Sequence, residues 1–414
     1  MTRAADDPRG ADEAQAIDEL SAMEESSAME ESSAVEEPRA INEMSALDEA
    51  HAPDEANAPD EARARVERVV AMGRRVSAPE DPLGVEARRR LLGCGLHPEG
   101  VELALTEHLE TSPTDADLSA LVAGTGRAPR CHVVLSANVC TASLRAIALA
   151  TATAPVTLVR PSQRDPALAE ILAAALAADP AFADHGGSIE LVTEIDAADG
   201  DEVHVYGHDS TIAAFREALG PGVVLRGHGS GFGAAIVGLG VDLSVAAHAL
   251  ARDVVPFDQA GCLSPRVVLV EGNVGRSLAF RDALDIALTD LGGRIPRGDL
   301  DDAAQGELTL YRAAVEAIGE LTEGLHHTIC LDVDPRSLAL PPAARVVHVA
   351  RIASAEIASR LLAPWRAQLT VIGADEDGEV TSAAWRLAPR ARRSRLGWMQ
   401  RPPLDGPVDR RGEG

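Results

Sequence analysis

Hydrophobic and polar positions along the middle of the chain follow two alternating periods. Short β-branched runs with the spacing of buried strands are separated by longer segments in which apolar residues recur every three or four positions. The pattern predicts strands at 131–136, 156–160, 189–192, 203–206, 223–226 and 234–237, and helices at 142–154, 166–178, 211–219 and 244–252. Strands joined by single helices indicate right-handed βαβ units and therefore a doubly wound parallel sheet.

A second series of the same kind begins at residue 266. Its strands are predicted at 266–271, 328–332, 345–350 and 368–373, and its helices at 275–291 and 302–320. Helical spacing also marks residues 62–76 and 97–110, ahead of the first series. We therefore predict an α/β protein with two doubly wound α/β domains and the active site at their junction. The predicted boundaries are 63–255 for the helical entry with the first domain and 256–385 for the second.

Composition adds limits on compartment and chemistry. The chain has 414 residues, of which 46% are hydrophobic, and this suits one large or two medium cores. Its five cysteines lack paired spacing and no apolar run is long enough for a membrane span, so we expect a soluble protein in the reducing cytoplasm. All 38 cationic side chains are arginines, because the sequence contains no lysine. That absence excludes Schiff-base chemistry and a lysine general base.

The formal net charge of -27 is concentrated at one end of the chain. Residues 1–62 hold 19 acids and three arginines, in repeats such as S-A-M-E-E-S, with no aromatic residue. A segment of this kind buries too little apolar surface to fold, so we predict a disordered acidic tail. Residues 386–414 reverse the sign, with eight arginines and three acids. Their prolines and single aromatic residue, Trp398, favour packing against the acidic body over nucleic-acid binding.

The candidate chemistry begins with Cys262. It lies in the segment P-F-D-Q-A-G-C-L-S-P-R at 256–266, after the flexible Ala260–Gly261 pair and just before a β-branched run. This order predicts a thiol on a loop that enters a strand, where it is presented to a substrate. A lone cysteine is more often a small buried hydrophobe than a nucleophile, so Cys262 needs support from other residues. The other four cysteines lie in helix-like, strand-like or turn-like contexts and lack this placement.

Three further loops follow predicted strands and are expected to face the same cleft. Asn138 comes after the first strand, where its amide either donates to an oxyanion or simply forms a turn. Gly207 makes a tight turn before a helix whose N-terminus suits a pyrophosphate. The third loop has four alternating glycines between Gly227 and Gly233, which permit close approach of a ligand. None of the loops is a G-x-G-x-x-G fingerprint.

In this order and spacing the loops resemble the aldehyde dehydrogenase superfamily, and within it the LuxC-like branch, the acyl-CoA reductase component of bacterial fatty acid reductases. The resemblance extends from about residue 95 to about residue 411. Asp258 to Pro265 reproduce the D-Q-x-x-C-x-S-P nucleophile segment, and Asn138 matches the oxyanion-binding asparagine. Residues 160–163 stand where the superfamily has its K-P-S-E cofactor motif, and Gly207 matches its G-S turn. The ending G-W-M-Q-R-P-P-L-D-G-P-V-D is similar as well.

The resemblance implies that Cys262 accepts the acyl group of an acyl-CoA or acyl-carrier thioester and that the product is the aldehyde. It assigns oxyanion binding to the Asn138 amide together with the Cys262 backbone N–H. It also implies a homo-oligomer and leaves room for a partner enzyme that transfers the acyl group. Two roles stay open for Asp258 and Gln259, which either orient the loop or contact the nicotinamide of the cofactor.

The same resemblance places a nicotinamide cofactor against Arg160, Ser162, Gln163 and Gly207. Gln163 is neutral where the superfamily has a glutamate, and Arg160 is cationic, so the resemblance implies NADPH. The second glycine of the superfamily's turn is replaced by Ile212, which leaves the way the pyrophosphate is held open.

The superfamily's glutamate base is missing from this chain. The matching stretch, 225–230, has no carboxylate, which disfavours hydrolysis of an acyl-enzyme and favours exchange between thioester and aldehyde. His228, in that stretch, is a candidate for activating the thiol, although a structural turn residue is the commoner role.

Other protein classes fit less well. The main alternative is a non-catalytic aldehyde dehydrogenase-like subunit that binds an acyl group or a partner, and the intact Cys262 and Asn138 count against it. A serine hydrolase is disfavoured because Ser230 stands in H-G-S-G-F, which is not a G-x-S-x-G elbow. Histidines at adjacent or strand-turn positions lack ligand spacing, so no metal site is predicted.

Overall fold

Four helices form the entry to the fold. The computed structural model describes residues 58–411. The four entry helices are α1 (Ala58–Ser77), α2 (Pro82–Leu91), α3 (Pro98–Glu107) and α4 (Asp115–Gly124). α1 begins with a proline and two acids, Asp60 and Glu61, in its first turn, which is a favourable helix N-terminus. Its apolar side, which includes Val66 and Val69, is fully buried. The helical spacing predicted at 62–76 and 97–110 is confirmed.

Residues 1–57 of the predicted acidic tail lie outside the described residues, and so do residues 412–414. The predicted boundary of the tail at residue 62 is wrong by about one helical turn. Residues 58–62 are the first turn of α1, and Ala62 is buried against the core. These residues share the acidic composition of the tail, but they directly precede the amphipathic stripe of α1 and are therefore drawn into the helix.

The first sheet has five parallel strands in the order β3-β2-β1-β4-β5. Its elements are β1 (Arg130–Val134), α5 (Ala142–Thr153), β2 (Val156–Arg160), α6 (Ala167–Ala177), α7 (Pro180–Asp184), β3 (Ser188–Leu191), β4 (Glu202–Tyr206), α8 (Asp209–Ala218) and β5 (Val224–His228). The strand order reverses between β1 and β4. The carboxyl edge at that switch point is where ligands bind in sheets of this kind.

The second sheet has seven strands in the order β12-β11-β6-β7-β10-β9-β8. Its elements are β6 (Phe232–Val237), α9 (Leu243–Val254), β7 (Pro265–Glu271), α10 (Val274–Arg294), α11 (Asp302–Val315), β8 (Glu320–Glu323), β9 (Thr328–Asp332), β10 (Val346–Ile352), α12 (Ala355–Leu362), β11 (Leu369–Ala374), α13 (Glu379–Leu387) and β12 (Arg392–Ser394). Among the described strands only the pair β8–β9 is antiparallel. β8 and β12 were not expected from the pattern, because these short edge strands are not continuous buried runs.

The two sheets meet end to end. β5 continues into β6 through residues 229–231, so the carboxyl edge of the first sheet faces the amino edge of the second. Every residue of β6 and β11 is buried, as expected for strands covered on both faces. The sheets divide between β5 and β6, whereas the sequence boundary at residue 255 groups β6 and α9 with the first domain. Within residues 58–411 no helix combines the length and apolar composition that crossing a bilayer requires.

Candidate active site

A cavity of about 440 Å³ lies at the junction of the two sheets. Loops after β1, β4 and β5 form one side of it, and the segment before β7 forms another. A third side comes from residues 395–411, named here the C-terminal segment. The structure brings together three of the residues singled out from the sequence, Asn138, Gly207 and Cys262.

The turn that precedes Cys262 has an unusual backbone. Pro256–Gln259 form a short 3₁₀ turn in which Phe257, Asp258 and Gln259 have φ values of 54°, 50° and 68°. Successive non-glycine residues in the left-handed region are costly, so surrounding contacts must hold them there. Backbone strain of this kind is often found next to functional side chains.

Gln259 fastens this turn to both neighbouring strands. Its side chain is fully buried, and its amide group donates to the carbonyls of Pro265 and Val346, both at 2.8 Å. Its side-chain oxygen accepts from the Val346 N–H at 2.7 Å. Because both amide hydrogens and the oxygen are engaged, Gln259 orients the loop and is not free to contact a cofactor.

Asp258 holds the same turn through charge. One carboxylate oxygen accepts from the Gly298 N–H at 2.9 Å, and the other accepts from Arg345 Nε at 2.9 Å. Arg345 is itself buried, and its other donors reach the carbonyls of Ile295 and Pro296. Of the two roles open for Asp258, orienting the loop is the one its contacts support.

Cys262 is partly exposed and lines the cavity at the end of this loop. Its carbonyl accepts from Thr370 Oγ1 at 2.7 Å, which fixes the backbone beside β11. Burial raises the pKa of the Cys262 thiol to about 11, and the Asp409 carboxylate acts in the same direction, while Arg411 opposes both. The resting side chain is therefore a thiol, and forming the thiolate needs a proton acceptor.

Asn138 is exposed in the loop between β1 and α5 and lines the same cavity. The next residue, Val139, approaches the Cys262 loop so closely that a Cβ on Gly261 would lie 3.3 Å from its side chain. Helix α5 begins at the cavity wall, and the positive end of its dipole favours negative charge there. The arrangement suits an oxyanion that develops next to Cys262.

The C-terminal segment is held against the cavity by a buried arginine of α5. Arg145 bonds with the carboxylate of Glu110 at 2.7 to 3.0 Å and donates to the carbonyls of Pro402, Pro403 and Gly406. The forked guanidinium group suits such a multiple contact. For the described residues, the expected packing of the arginine-rich end on the body is confirmed.

Arg411 and Asp409 complete this closure beside Cys262. Arg411 Nε and Nη2 each lie 2.7 Å from an oxygen of Asp409, and Nη1 donates to the carbonyls of Ser230 and Ala367 at 3.0 and 2.6 Å. Burial of Asp409 opposes ionisation, but the bonds from Arg411 hold its pKa below the usual value. The cavity thus contains a carboxylate that the sequence pattern did not reveal, locked in an ion pair.

His228 and Tyr206 form the inner wall. Their rings are stacked, with centroids 4.3 Å apart and an interplanar angle of 17°. Burial, assisted by the neighbouring His204, lowers the pKa of His228 to about 3, so the imidazole is neutral. Within the described part of the chain, His228 Nε2 and Tyr206 Oη are buried and lack a hydrogen-bond partner. Buried polar atoms without a hydrogen-bond partner indicate a bound water or ligand.

The residues predicted to hold the cofactor divide into two groups. Gly207 lines the cavity, and its N–H donates to the His228 carbonyl at 3.2 Å. Arg160 ends β2, and Ser162 and Gln163 follow it at the carboxyl edge of the first sheet, but none of these three lines the cavity. β2 pairs with β1, so they lie one strand away from the loop that carries the asparagine.

Comparisons with known proteins show the family and the fold of this chain. The family model described as acyl-CoA reductase (LuxC) matches residues 122–400, about two thirds of the chain. No curated protein matches the sequence. The chain is similar to the crystal structure of a NAD-dependent benzaldehyde dehydrogenase from Corynebacterium glutamicum, with a TM-score of 0.62, 16% identity, and 83% of this chain and 82% of that chain covered.

Two more solved structures show the same fold. One is a Mycobacterium tuberculosis aldehyde dehydrogenase complexed with NAD+, with a TM-score of 0.57, 15% identity, and 83% and 80% of the two chains covered. The other is succinic semialdehyde dehydrogenase from Streptococcus pyogenes in complex with NADP+, with a TM-score of 0.60, 13% identity, and 83% and 82% covered. The predicted aldehyde dehydrogenase-like α/β fold is confirmed. Since the family model spans Asn138 through Cys262 to Gln400, this chain is an oxidoreductase that belongs to the acyl-CoA reductase (LuxC) family.

Proposed function

We propose that this protein reduces a fatty acyl thioester, carried by CoA or an acyl carrier, to the aldehyde through a covalent acyl-Cys262 intermediate, with NADPH as reductant. The observation that carries the proposal is the cavity shared by Cys262 and Asn138. The thiol stands at the end of a turn that Asp258 and Gln259 fasten, and Asn138 lines the same cavity. Membership in a family of acyl-CoA reductases supports an acyl thioester as the substrate class.

The cavity suits the reactive end of a nicotinamide cofactor. It lies at the carboxyl edge of the first sheet, beside the switch point between β1 and β4. Gly207 leaves room there, because a Cβ at this position would meet nothing closer than 3.6 Å. Tyr206 also lines the cavity, and its buried hydroxyl has no hydrogen-bond partner among residues 58–411. When bound, the cofactor supplies the hydride that reduces the acyl-enzyme.

Cys262 forms the covalent bond in this mechanism. The thiol loses its proton, the sulfur attacks the acyl carbonyl carbon, and the CoA or carrier thiolate leaves. The Asn138 amide and the Cys262 backbone N–H donate to the oxyanion, and the N-terminus of α5 adds a positive potential. Because burial raises the pKa of the thiol to about 11, the attack depends on a route that removes the proton.

Water competes poorly for the acyl-enzyme at this site. The stretch 225–230 has no carboxylate. Among the described residues three carboxylates line the cavity: Asp409 is bonded through both oxygens by Arg411, Glu110 is bonded by Arg145, and Glu307 is exposed on α11. A carboxylate whose pKa is held low by a guanidinium is a weak base for activating water. The acyl-enzyme is therefore expected to persist until it is reduced, as an aldehyde-forming enzyme requires.

The preference for NADPH depends on residues 160–163. Gln163 carries no charge that would repel a 2′-phosphate, and Arg160, at the carboxyl end of β2, offers a forked pair of donors. Ser162 and Gly207 would complete the cofactor contacts. In this proposal residues 63–255 bind the cofactor and 256–385 carry the nucleophile. The family resemblance also supports a homo-oligomer and a partner enzyme that delivers the acyl group.

Trapping the acyl-enzyme tests the proposal. Protein incubated with acyl-CoA in the absence of NADPH is expected to gain one acyl mass on the peptide that holds Cys262, and added NADPH is expected to release the aldehyde. Cys262→Ala should abolish the adduct, whereas Cys94→Ala, a matched change at another partly buried thiol, should retain it. An adduct that persists in Cys262→Ala, or that maps to Cys140, overturns the assignment.

A further inference from the structure

A stripe of polar side chains leads away from the active-site cavity along the first sheet. Glu202, His204 and Tyr206 alternate with apolar residues along β4, so they share one face of the sheet. On the neighbouring β5, Arg226 stands opposite His204 and His228 stands opposite Tyr206. Glu202 and His204 have no part in the acyl transfer described above, although both are buried ionisable groups.

Short contacts link the members of this stripe. His204 Nε2 lies 2.8 Å from Glu202 Oε1, which also accepts from Arg226 Nε at 3.1 Å. The Arg226 side chain is 41% exposed and marks the surface end. At the other end the His204 and His228 rings have centroids 5.7 Å apart. The bond with Glu202 places the His204 proton on Nε2, which leaves Nδ1 as an acceptor.

A small second cavity lies between these histidines and the C-terminal segment. It has a volume of about 40 Å³, and its walls include Glu202, His204, Arg226, His228 and Asp409. His228 and Asp409 also line the main cavity, so the two spaces adjoin. A space of this volume has room for about two or three water molecules, and the ionisable side chains in its walls offer them hydrogen-bond partners.

Two histidines that line this second cavity each have one ring nitrogen without a partner among the described residues. His204 Nδ1 and His228 Nε2 are buried and make no hydrogen bond with any residue from 58 to 411. A buried polar atom without a hydrogen-bond partner costs free energy, and ordered water usually supplies the missing partner. Water in the second cavity would give each nitrogen a partner and would join the two rings.

We propose that Glu202, His204 and His228, bridged by water in the second cavity, form a proton path between the surface at Arg226 and the cavity that holds Cys262. The inference rests on the proposed acyl transfer at Cys262. Enzyme thiol and acyl-CoA give acyl-enzyme, CoA thiolate and one proton, and that proton leaves by the path. When the aldehyde departs and the thiolate is regenerated, one proton returns the same way.

The path passes a proton along without storing it. His228 faces His204 and Glu202 from β4, Arg226 on its own strand and Asp409 from the C-terminal segment. Burial and His204 together lower the pKa of His228 to about 3, so an imidazolium is not stable there. A neutral imidazole accepts a proton at one nitrogen while it releases one from the other, and this transfer needs no lasting charge.

The variant His204→Gln interrupts the path and keeps a side chain able to bond with Glu202. Its matched control is His132→Gln on the adjacent strand β1. His132 Nε2 lies 3.3 Å from Asp201, which pairs with Arg130 at 2.6 Å, but none of these residues lines either cavity. Circular dichroism and thermal melting establish that both variants are folded.

Acylation by p-nitrophenyl acetate provides the readout. The burst of nitrophenolate requires neither CoA nor a cofactor, and each acylation of Cys262 releases one proton. We expect His204→Gln to lower the burst rate by about 100-fold, the scale of a lost proton-transfer group. Its solvent isotope effect in D₂O should exceed that of the wild type, because proton transfer becomes limiting.

In the steady-state reaction with acyl-CoA and NADPH, the kcat of His204→Gln should fall in parallel with the burst rate while KM changes little. His132→Gln should retain the wild-type burst rate and isotope effect.

Chemical rescue gives an independent test. His228→Ala opens a space of imidazole size at the main cavity, so added imidazole is expected to restore its burst rate, whereas sodium chloride at equal ionic strength is not. An unchanged rate and isotope effect in His204→Gln, or an equal loss in His132→Gln, overturns the path and leaves the proposed function standing. A wild-type protein that gives neither a burst nor an acyl-Cys262 adduct overturns the proposed function, and the path with it.

Discussion

Two loop residues carry the proposed chemistry, and their neighbours position both. Cys262 is held through its carbonyl by Thr370 and through the preceding turn by Gln259. Asn138 is placed by the end of β1 and the start of α5, while its side chain stays exposed at the cavity. Because an exposed amide contributes little to packing, its loss should affect rate far more than stability.

Asn138→Ala is expected to lower kcat by roughly 100- to 1000-fold, the usual loss when one oxyanion donor is removed, with folding and acyl-CoA affinity nearly unchanged. Asn138→Asp separates the donor role from a turn role, because aspartate forms turns equally well but has no amide hydrogen. The same loss is expected for both variants in steady-state kinetics. Decreases of only a few-fold in both would mean that Asn138 is a turn former alone.

Gln163 permits a test of cofactor choice at one exposed position. A carboxylate there would face the added charge of a 2′-phosphate, so Gln163→Glu is expected to shift the preference from NADPH toward NADH by about one to two decades in kcat/KM. Acylation of Cys262 should not change, because residue 163 does not line the cavity. Equal use of both cofactors by the wild type would place the 2′-phosphate elsewhere.

At the scale of elements, the turn before Cys262 has a position that the sequence predicts and a backbone conformation that it does not. The D-Q-x-x-C-x-S-P segment predicted a loop that enters a strand, and the structure has that loop before β7. The left-handed backbone of residues 257–259 was not predictable, because Phe, Asp and Gln do not favour it. Contacts from Gly298, Arg345 and Val346, distant in sequence, hold it in place.

Asp258→Asn tests how strongly that turn depends on charge. Asparagine tolerates the left-handed backbone and keeps the side-chain size, but it leaves the buried Arg345 without its carboxylate. We expect the free energy of unfolding to fall by about 3 kcal/mol, as when one partner of a buried ion pair is removed, and Cys262 acylation to slow. In a double-variant cycle measured by urea denaturation, adding Arg345→Met should recover part of the loss. Strictly additive effects would show that the pair does not act as a unit.

For the whole molecule, local patterns predicted the strands of both sheets far better than the closure of the active site. Buried strands such as β6 and β11 require continuous apolar runs, which a sequence shows directly. The C-terminal segment closes the cavity through Arg145 and Gly406, which are 261 positions apart. No local period records such a contact, so Asp409 was not recognised as a cavity residue. The alternation of polar and apolar residues at Glu202 and His204 can be seen in the sequence. The contacts that these side chains make depend on the neighbouring strand β5, which only the structure shows.

Buried neutral histidines make the stability of the whole fold depend on pH. Burial lowers the pKa of His108 and His348 to about 4 and, with His204, lowers that of His228 to about 3. The unfolded value is about 6.5, so the stability these groups contribute is complete above about pH 6.5 and is lost as the pH falls toward the folded values. Asp253 opposes this trend, because burial raises its pKa to about 7 and protonation then favours the folded state.

His348→Gln isolates one histidine in this balance, away from the active site. His348 is buried in β10, where Nδ1 lies 3.0 Å from Tyr311 Oη, and glutamine can keep that bond without titrating. As the pH falls from about 6.5 to 5, the unfolded state binds about 0.5 to 0.9 more protons at such a histidine than the folded state does, so the variant should reduce the pH slope of the unfolding free energy by about 1 kcal/mol per pH unit. Urea denaturation at several pH values measures the slope. His248→Gln, at an exposed position, should leave it unchanged. A slope in His348→Gln equal to that of the wild type would mean that His348 binds as many protons in the folded protein as in the unfolded one.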